Sequence, residues 1–179
     1  MMFESIVNQP VIETERFDLR PVRPSDAGLI GLYISDFRVA RNTSSIPHPL
    51  PPGLVEAFIA RVRADDRVED AWVIDGSRID AGEVMGVVSL NRLDAQEAEI
   101  GFWVAPAFWN TGVASEAVAA LIEANPLDCR MIYATVHQGN AASARVLTNC
   151  GFCYLGDAET YSVAQAAKVP TWTYSRKLY

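Results

Sequence analysis

The sequence predicts an α+β fold built on a mixed, mostly antiparallel twisted sheet flanked by helices. Three observations carry this. Helical patterns come early, closely spaced strand patterns separated by turn residues fill the centre, and a strand, a helix and further strands close the chain. Apolar, charged and turn residues are interleaved along all 179 positions without a low-complexity block, so one domain spanning residues 1–179 is expected.

Phe17 to Val22 alternates apolar and polar residues and reads as a half-exposed strand ended by prolines. Pro24-Ser25-Asp26 offers a helix start, with Leu29, Leu32 and Tyr33 at helical spacing behind it. The proline-rich stretch Pro47 to Pro52 is a stiff loop, because proline lacks the donor that a helix interior or central strand needs. Val55, Phe58, Ile59 and Val62 mark the apolar stripe of a second helix. Strands are expected at Ala71 to Asp75, Val84 to Asn91 and Glu99 to Val104, joined by turns at Asp75-Gly76 and near Asp94 into an antiparallel meander. Gly112 to Ala124 repeats apolar residues at Ala114, Ala117, Val118, Leu121 and Ile122, the pattern of a helix with one face on the sheet. Met131 to Val136 is strand-like, and Ala141 to Cys150 is a helix stopped by Gly151. Strands at Phe152 to Leu155 and Thr171 to Leu178 bracket a variable segment.

Half the residues are hydrophobic and 21% are charged, the balance of a folded globular chain and not of a disordered one. The formal charge of −7 argues against a nucleic-acid binder, whose affinity would rest on a basic patch, and tilts towards cationic partners. No apolar run is long enough to cross a bilayer, and Met1 to Pro10 lacks the basic and apolar segments of a leader peptide. The expected compartment is the cytoplasm, where three cysteines stay reduced. The sequence leaves monomer and homodimer both open.

The chemically informative stretch runs from Glu99 through Trp103, Val104 and Trp109 to Asn110-Thr111-Gly112-Val113-Ala114-Ser115. A strand passes through a short turn into a helix, with Gly112 placed so that main-chain N–H groups can approach a ligand closely. Such donors, with the positive end of the helix dipole, make an anion site suited to phosphate, although a glycine opening a helix is often turn geometry alone. No Gly-Lys-Ser/Thr follows to suggest a P-loop. A second stretch, Asn140 to Phe152, starts with Asn140 as a helix N-cap and carries Ser143 one turn on.

In combination, order and spacing these two stretches resemble the GNAT superfamily of N-acetyltransferases, in the branch typified by ribosomal-protein N-acetyltransferases of the RimJ/RimL kind. Nearly the whole chain takes part: Glu13 to Pro21 with Ser25-Asp26-Ala27 is similar to the branch's opening strand and first helix, and Trp172 to Ser175 to its closing strand. The resemblance implies acetyl-CoA as cosubstrate, a metal-free mechanism, and an amine acceptor that is either a protein N-terminus or a small molecule. Trp109 to Ala114 matches the pyrophosphate loop, with Asn110 where glycine is commoner; Asn140 and Ser143 match residues along the pantetheine arm. The sheet is then expected to splay between the strand at 99–104 and the strand at 131–136. Amides near Trp103 and Val104 would stabilise the oxyanion of a direct transfer with no covalent enzyme intermediate.

Glu99 is the candidate general base, because it shares a strand face with Gly101 and Trp103; the plainer reading is a solvent-facing strand residue. Relatives often carry a tyrosine acid where this chain has Leu147, so Ser143 is the candidate donor to the departing sulfur, against the plainer reading of a helix-surface hydroxyl. Trp103 and Trp109 line the cofactor channel or serve the core. Cys150-Gly151-Phe152-Cys153 spells C-x-x-C, but a cysteine closing a helix feels the wrong end of the dipole for a redox thiol, so buried inert thiols are expected. Cys129 and His137 do not complete zinc spacing; His48 and His137 are expected to be inert surface residues. The rival reading is a module that binds CoA without turnover, motivated by Asn110 and the missing tyrosine.

Overall fold

The computed structural model describes residues 9–179; most of the Met1 to Pro10 stretch, on which the expectation of no leader peptide rests, lies outside them. One sheet of eight strands runs through the molecule in the order β1-β2-β3-β4-β5-β6-β8-β7. Its members are β1 (Ile12–Glu13), β2 (Asp18–Pro21), β3 (Glu69–Asp75), β4 (Gly86–Arg92), β5 (Glu97–Val104), β6 (Met131–His137), β7 (Cys153–Ser162) and β8 (Ala167–Lys177). Every pairing is antiparallel except β5 with β6, so the expected mixed sheet with a central meander is present.

The side chains alternate between two apolar layers. On one face α4 (Val113–Ala124) and α5 (Ala141–Asn149) cover Ile100, Val104, Ile132, Ala134 and Val136. On the other, α1 (Ala27–Ile34), α2 (Phe37–Ala40) and α3 (Leu54–Arg63) cover Ala71, Val73 and Val87, but only over the β2–β4 half. The stripe of α3 is the expected one, with Val55, Ile59 and Val62 buried. That of α1 is so only in part: Leu29 and Tyr33 pack against the core as expected, but Ile30 and Ile34 are its most buried residues and Leu32 is exposed. An i, i+4 pair spans one turn, and the turn over Pro24–Asp26 sets its phase by tying Asp26 to Arg20 at 2.8 and 2.9 Å.

Three elements differ from expectation. The four-residue α2 is capped by Asp36, whose carboxylate accepts the Arg38 N–H at 2.9 Å. The segment between Leu155 and Thr171 is a long hairpin in which β7 and β8 pair through Ser162 and Ala167. Helix α5 ends at Asn149, one residue early, and Gly151 (φ 82°) supplies the left-handed turn that any L side chain would strain.

The β5–β6 pairing lasts only three positions, Glu97 with Met131, Ala98 with Ile132 and Glu99 with Tyr133. Beyond it β5 keeps its register with β4 as far as Val104, and β6 stays with β8 as far as His137. The sheet therefore splays between these strands, opening after Glu99.

Candidate active site

The site begins at the turn feeding α4. Gly112 is the N-cap, at φ 79°, and Asn110 also lies in the left-handed region at φ 60°. Asn110 is thus less a departure than it looked: after glycine, asparagine is the residue that occupies this region at least cost. No side chain caps the helix, and the first backbone bond is that of Glu116 N–H to the Gly112 carbonyl at 3.0 Å. The N–H groups of Val113, Ala114 and Ser115 therefore point past the helix end with no acceptor among the described residues. A carboxylate held by other groups stands beside them. Burial alone would raise the Glu116 carboxyl, but hydrogen bonds from Thr14 Oγ1 (2.7 Å), Arg16 Nε (2.9 Å) and the Arg16 N–H (3.1 Å) outweigh it and hold Glu116 below the ordinary carboxylate range.

The helix end opens on a cleft of about 380 Å³. Of the residues expected from sequence, Trp103, Val104, Trp109, Asn110, Gly112, Val113, Ala114, Ser115, Asn140 and Ser143 line it. Thr111 does not: its hydroxyl turns back to the Phe108 carbonyl, and its own carbonyl accepts from Arg16 Nη1 at 3.0 Å. Sequence reading missed four further lining residues, Arg38, Asn42 and Thr43 from α2 and the turn after it and Arg145 from α5. Arg38 lies over the Trp109 ring, 5.6 Å from its centroid, and pairs with Asp36 at 2.7 Å; Arg145 has no partner among the described residues. Two guanidiniums and no carboxylate line the cleft, although the chain carries −7 overall. Its charge is that of an anion site.

The cleft leads into the opening between β5 and β6. Ala105 N–H donates to the Met85 carbonyl and Leu93 N–H to the Glu97 carbonyl, so the odd-numbered residues of β5 turn their main-chain groups towards β4. The Trp103 amide is thereby committed to the ladder with Val87, which corrects its expected place as an oxyanion donor. The amides of Phe102 and Val104 face the opening instead, without a main-chain acceptor among the described residues. Trp109 fixes the mouth by donating its indole N–H to the Val104 carbonyl at 2.7 Å.

Ser143 and Asn140 are joined as α5 begins. Asn140 Oδ1 accepts the Ser143 N–H at 3.2 Å, and Asn140 Nδ2 donates to Ser143 Oγ at 2.8 Å, which leaves the Ser143 hydroxyl proton free to donate. Leu147 is wholly buried in the core, so a tyrosine there would meet packing atoms and not the cleft. Glu99 does not line the cleft. It lies where the ladder ends, and burial raises its carboxyl above the ordinary value with no opposing charge or hydrogen bond.

The set-aside residues fall partly as expected. Cys150 is buried and its thiol is pushed up by burial; Cys153, expected to be buried, is exposed on β7. Burial pushes the Cys129 thiol up to about 11. His48 is exposed, with its ring centroid 5.0 Å from that of Phe37. His137 is buried, not superficial: its Nδ1 meets the Arg41 carbonyl at 3.0 Å and its Nε2 lies 3.4 Å from Ser44 Oγ, so it holds the turn that carries Asn42 and Thr43.

A splayed sheet with an uncapped helix end at its mouth is the geometry of the site, and comparisons with known proteins give the family. Residues 16–153 match the family described as acetyltransferase (GNAT) domain, and the chain belongs to that family; it is an acyltransferase. It is 29% identical over 175 residues to YoaA of Bacillus subtilis strain 168, described as an uncharacterised N-acetyltransferase, covering 93% of this chain and 96% of that one. The fold is similar to that of RimL, a ribosomal L7/L12 α-N-protein acetyltransferase solved with coenzyme A (TM-score 0.79, 18% identity, 94% and 98% of the two chains). It is also similar to a spermidine N-acetyltransferase from Vibrio cholerae solved with CoA and spermine (TM-score 0.76, 15% identity, 91% and 96%). Among the described residues no helix is long and apolar enough to cross a membrane.

Proposed function

We propose that this chain, acting as one GNAT domain in the cytoplasm, transfers the acetyl group of acetyl-CoA to a primary amine by direct attack. The observation that carries the reading is the uncapped start of α4, opening on a carboxylate-free cleft that runs into the break between β5 and β6. The residues present fit the cosubstrate: the amides of Val113 to Ser115 suit a diphosphate, Arg38 and Arg145 suit its outer charges, and Asn140 and Ser143 offer polar contacts along the arm. The three free thiols suit a reducing compartment.

Bound acetyl-CoA supplies an activated acyl carbon, and its thiol, with a pKa of about 8.5, leaves without a strong acid. Of the two amides that face the opening, Phe102 and Val104, one donates to the acyl oxygen as charge develops there, because amides two residues apart on a strand stand too far apart to share one acceptor; the committed Trp103 amide cannot take this role. Ser143 donates its free hydroxyl proton towards the departing sulfur. Glu99 takes the proton of the attacking amine, directly or through water; its raised pKa brings it nearer the working pH of a general base.

The acceptor approaches over the half of the sheet that α1–α3 leave uncovered. By register, Asn91, Glu99, Tyr133 and Ser175 share one row of that face, and Ser89, Gly101 and Thr173 the adjacent level. Glu97 lies on the same face, its carboxylate accepting from the Tyr133 hydroxyl at 3.4 Å. Carboxylates among hydroxyls suit a polar, cationic amine, either a protein N-terminus or a small molecule. An α-amine, with a pKa near 8, is more readily neutral than a lysine near 10.4. Incubation with acetyl-CoA and a panel of amines and N-terminal peptides, read by thiol release, tests the reading: amine-dependent release is expected, and release no faster than hydrolysis with every acceptor overturns it.

A further inference from the structure

The tight turn between β1 and β2 reaches across to the loop that opens α4. Arg16 Nη1 donates to the Thr111 carbonyl at 3.0 Å, and Arg16 Nε to Glu116 Oε1 at 2.9 Å. The Arg16 N–H and Thr14 Oγ1 converge on Glu116 Oε2 at 3.1 and 2.7 Å. Arg16 Nη2 lies 3.4 Å from the point where a Cβ on Gly112 would stand. One guanidinium thus borders the loop from Thr111 to Gly112 and also neutralises a carboxylate in the first turn of α4.

That placement matters because of what Glu116 would do alone. A carboxylate in the first turn interacts favourably with the helix dipole, but it stands about one turn from the N–H groups that face an anionic ligand. Unpaired, it would repel the ligand that the helix end attracts. We propose that Arg16 is a positioning residue for the cosubstrate: by holding Thr111 and pairing with Glu116 it keeps the α4 terminus shaped and electropositive enough to bind a diphosphate. Arg16 itself does not line the cleft, so it acts through the loop and through Glu116. The proposal rests on the reading of the α4 terminus as the diphosphate site.

The test is calorimetric titration of CoA into wild type, Arg16→Met, Glu116→Gln and the double variant, with steady-state kinetics alongside. Arg16→Met is expected to weaken CoA binding about tenfold, since a carboxylate near two ligand charges is then uncompensated. KM for acetyl-CoA should rise by the same factor, with kcat at saturating acetyl-CoA within about twofold of wild type. The loss should shrink as salt is raised to about 0.5 M, because exposed charges are screened. Glu116→Gln should bind CoA at least as well as wild type, and adding it to Arg16→Met should restore most of the loss. Unchanged binding in Arg16→Met, or a double variant no better than Arg16→Met, overturns the proposal; the second outcome would make Arg16 a structural brace only. A wild type that gives no binding heat and no thermal stabilisation with CoA overturns the diphosphate site itself, an outcome distinct from either.

Discussion

Gly112 is the position where one substitution separates backbone strain from ligand electrostatics. Its φ of 79° costs an L residue about 1–2 kcal/mol, while a new Cβ would meet only the movable end of Arg16 at 3.4 Å. Gly112→Ala therefore carries the strain alone, and for a domain of this size its melting temperature should fall on the order of 3–6 °C. Gly112→Asp adds one negative charge. Arg16 can pair with the new carboxylate or with Glu116; whichever it holds, the other faces the site. At one helical turn, about 5.4 Å, from a ligand carrying two charges, the repulsion is about 1.5 kcal/mol in the water limit and larger where protein lowers the dielectric. CoA should accordingly bind the aspartate variant about tenfold or more weakly than the alanine variant, measured by calorimetry on the two side by side. Equal affinities would show that no anion sits at this helix end.

Three further substitutions probe the transfer step. Glu99→Gln should lower kcat and remove the acidic limb of the pH–rate profile. That limb should lie above the ordinary carboxylate range, because burial raises the Glu99 pKa and the base works only when ionised. The stability sign is opposite. A carboxyl raised in the fold destabilises once ionised, so Glu99→Gln should melt no lower than wild type at pH 7 and lose any advantage at low pH. Ser143→Ala should reduce kcat about tenfold with little change in KM, since the Asn140 cap on the Ser143 N–H survives; an unchanged kcat removes Ser143 from the leaving-group step. Leu147→Tyr should destabilise by about 1–3 kcal/mol by overpacking a wholly buried site, and should not speed the reaction; a faster enzyme would mean that the position reaches the sulfur.

The sheet and the turn at Gly112 were readable because their signals are local. Short apolar runs bounded by turn residues mark β3 and β4, alternation marks β5, an asparagine and a glycine bracket α5, and Gly112 followed by a helical stripe marks α4. The lining that α2 and the turn after it bring was not readable. Arg38 rides on a helix of four residues, too short to show a period, and its one local signal was Asp36 as a cap. The β7–β8 hairpin hid because β7 is exposed along most of its length, so its residues do not alternate in polarity, and because Pro170 in β8 reads as a strand breaker. The direction of the Trp103 amide was beyond reach for a different reason. Alternation divides β5 into odd and even residues, but which set faces β4 is decided by pairing with a strand ten or more residues away.

The opening itself carries a cost. The Phe102 and Val104 amides line a cleft beyond the end of the β5–β6 pairing, without a main-chain partner among the described residues, whereas in folded proteins nearly all buried amides find one. Extending the β5–β6 ladder would satisfy them, but each strand is held elsewhere: β5 by β4 up to Val104, β6 by β8 up to His137. The Trp109 indole takes the Val104 carbonyl, and His137 is engaged with the turn at Arg41 to Ser44. Both rims of the gap are thus tied to the walls that carry Trp109 on one side and Asn42 and Thr43 on the other. Closing the gap would require breaking those ties, so the two amides stay unpaired and open to an acceptor from outside the chain.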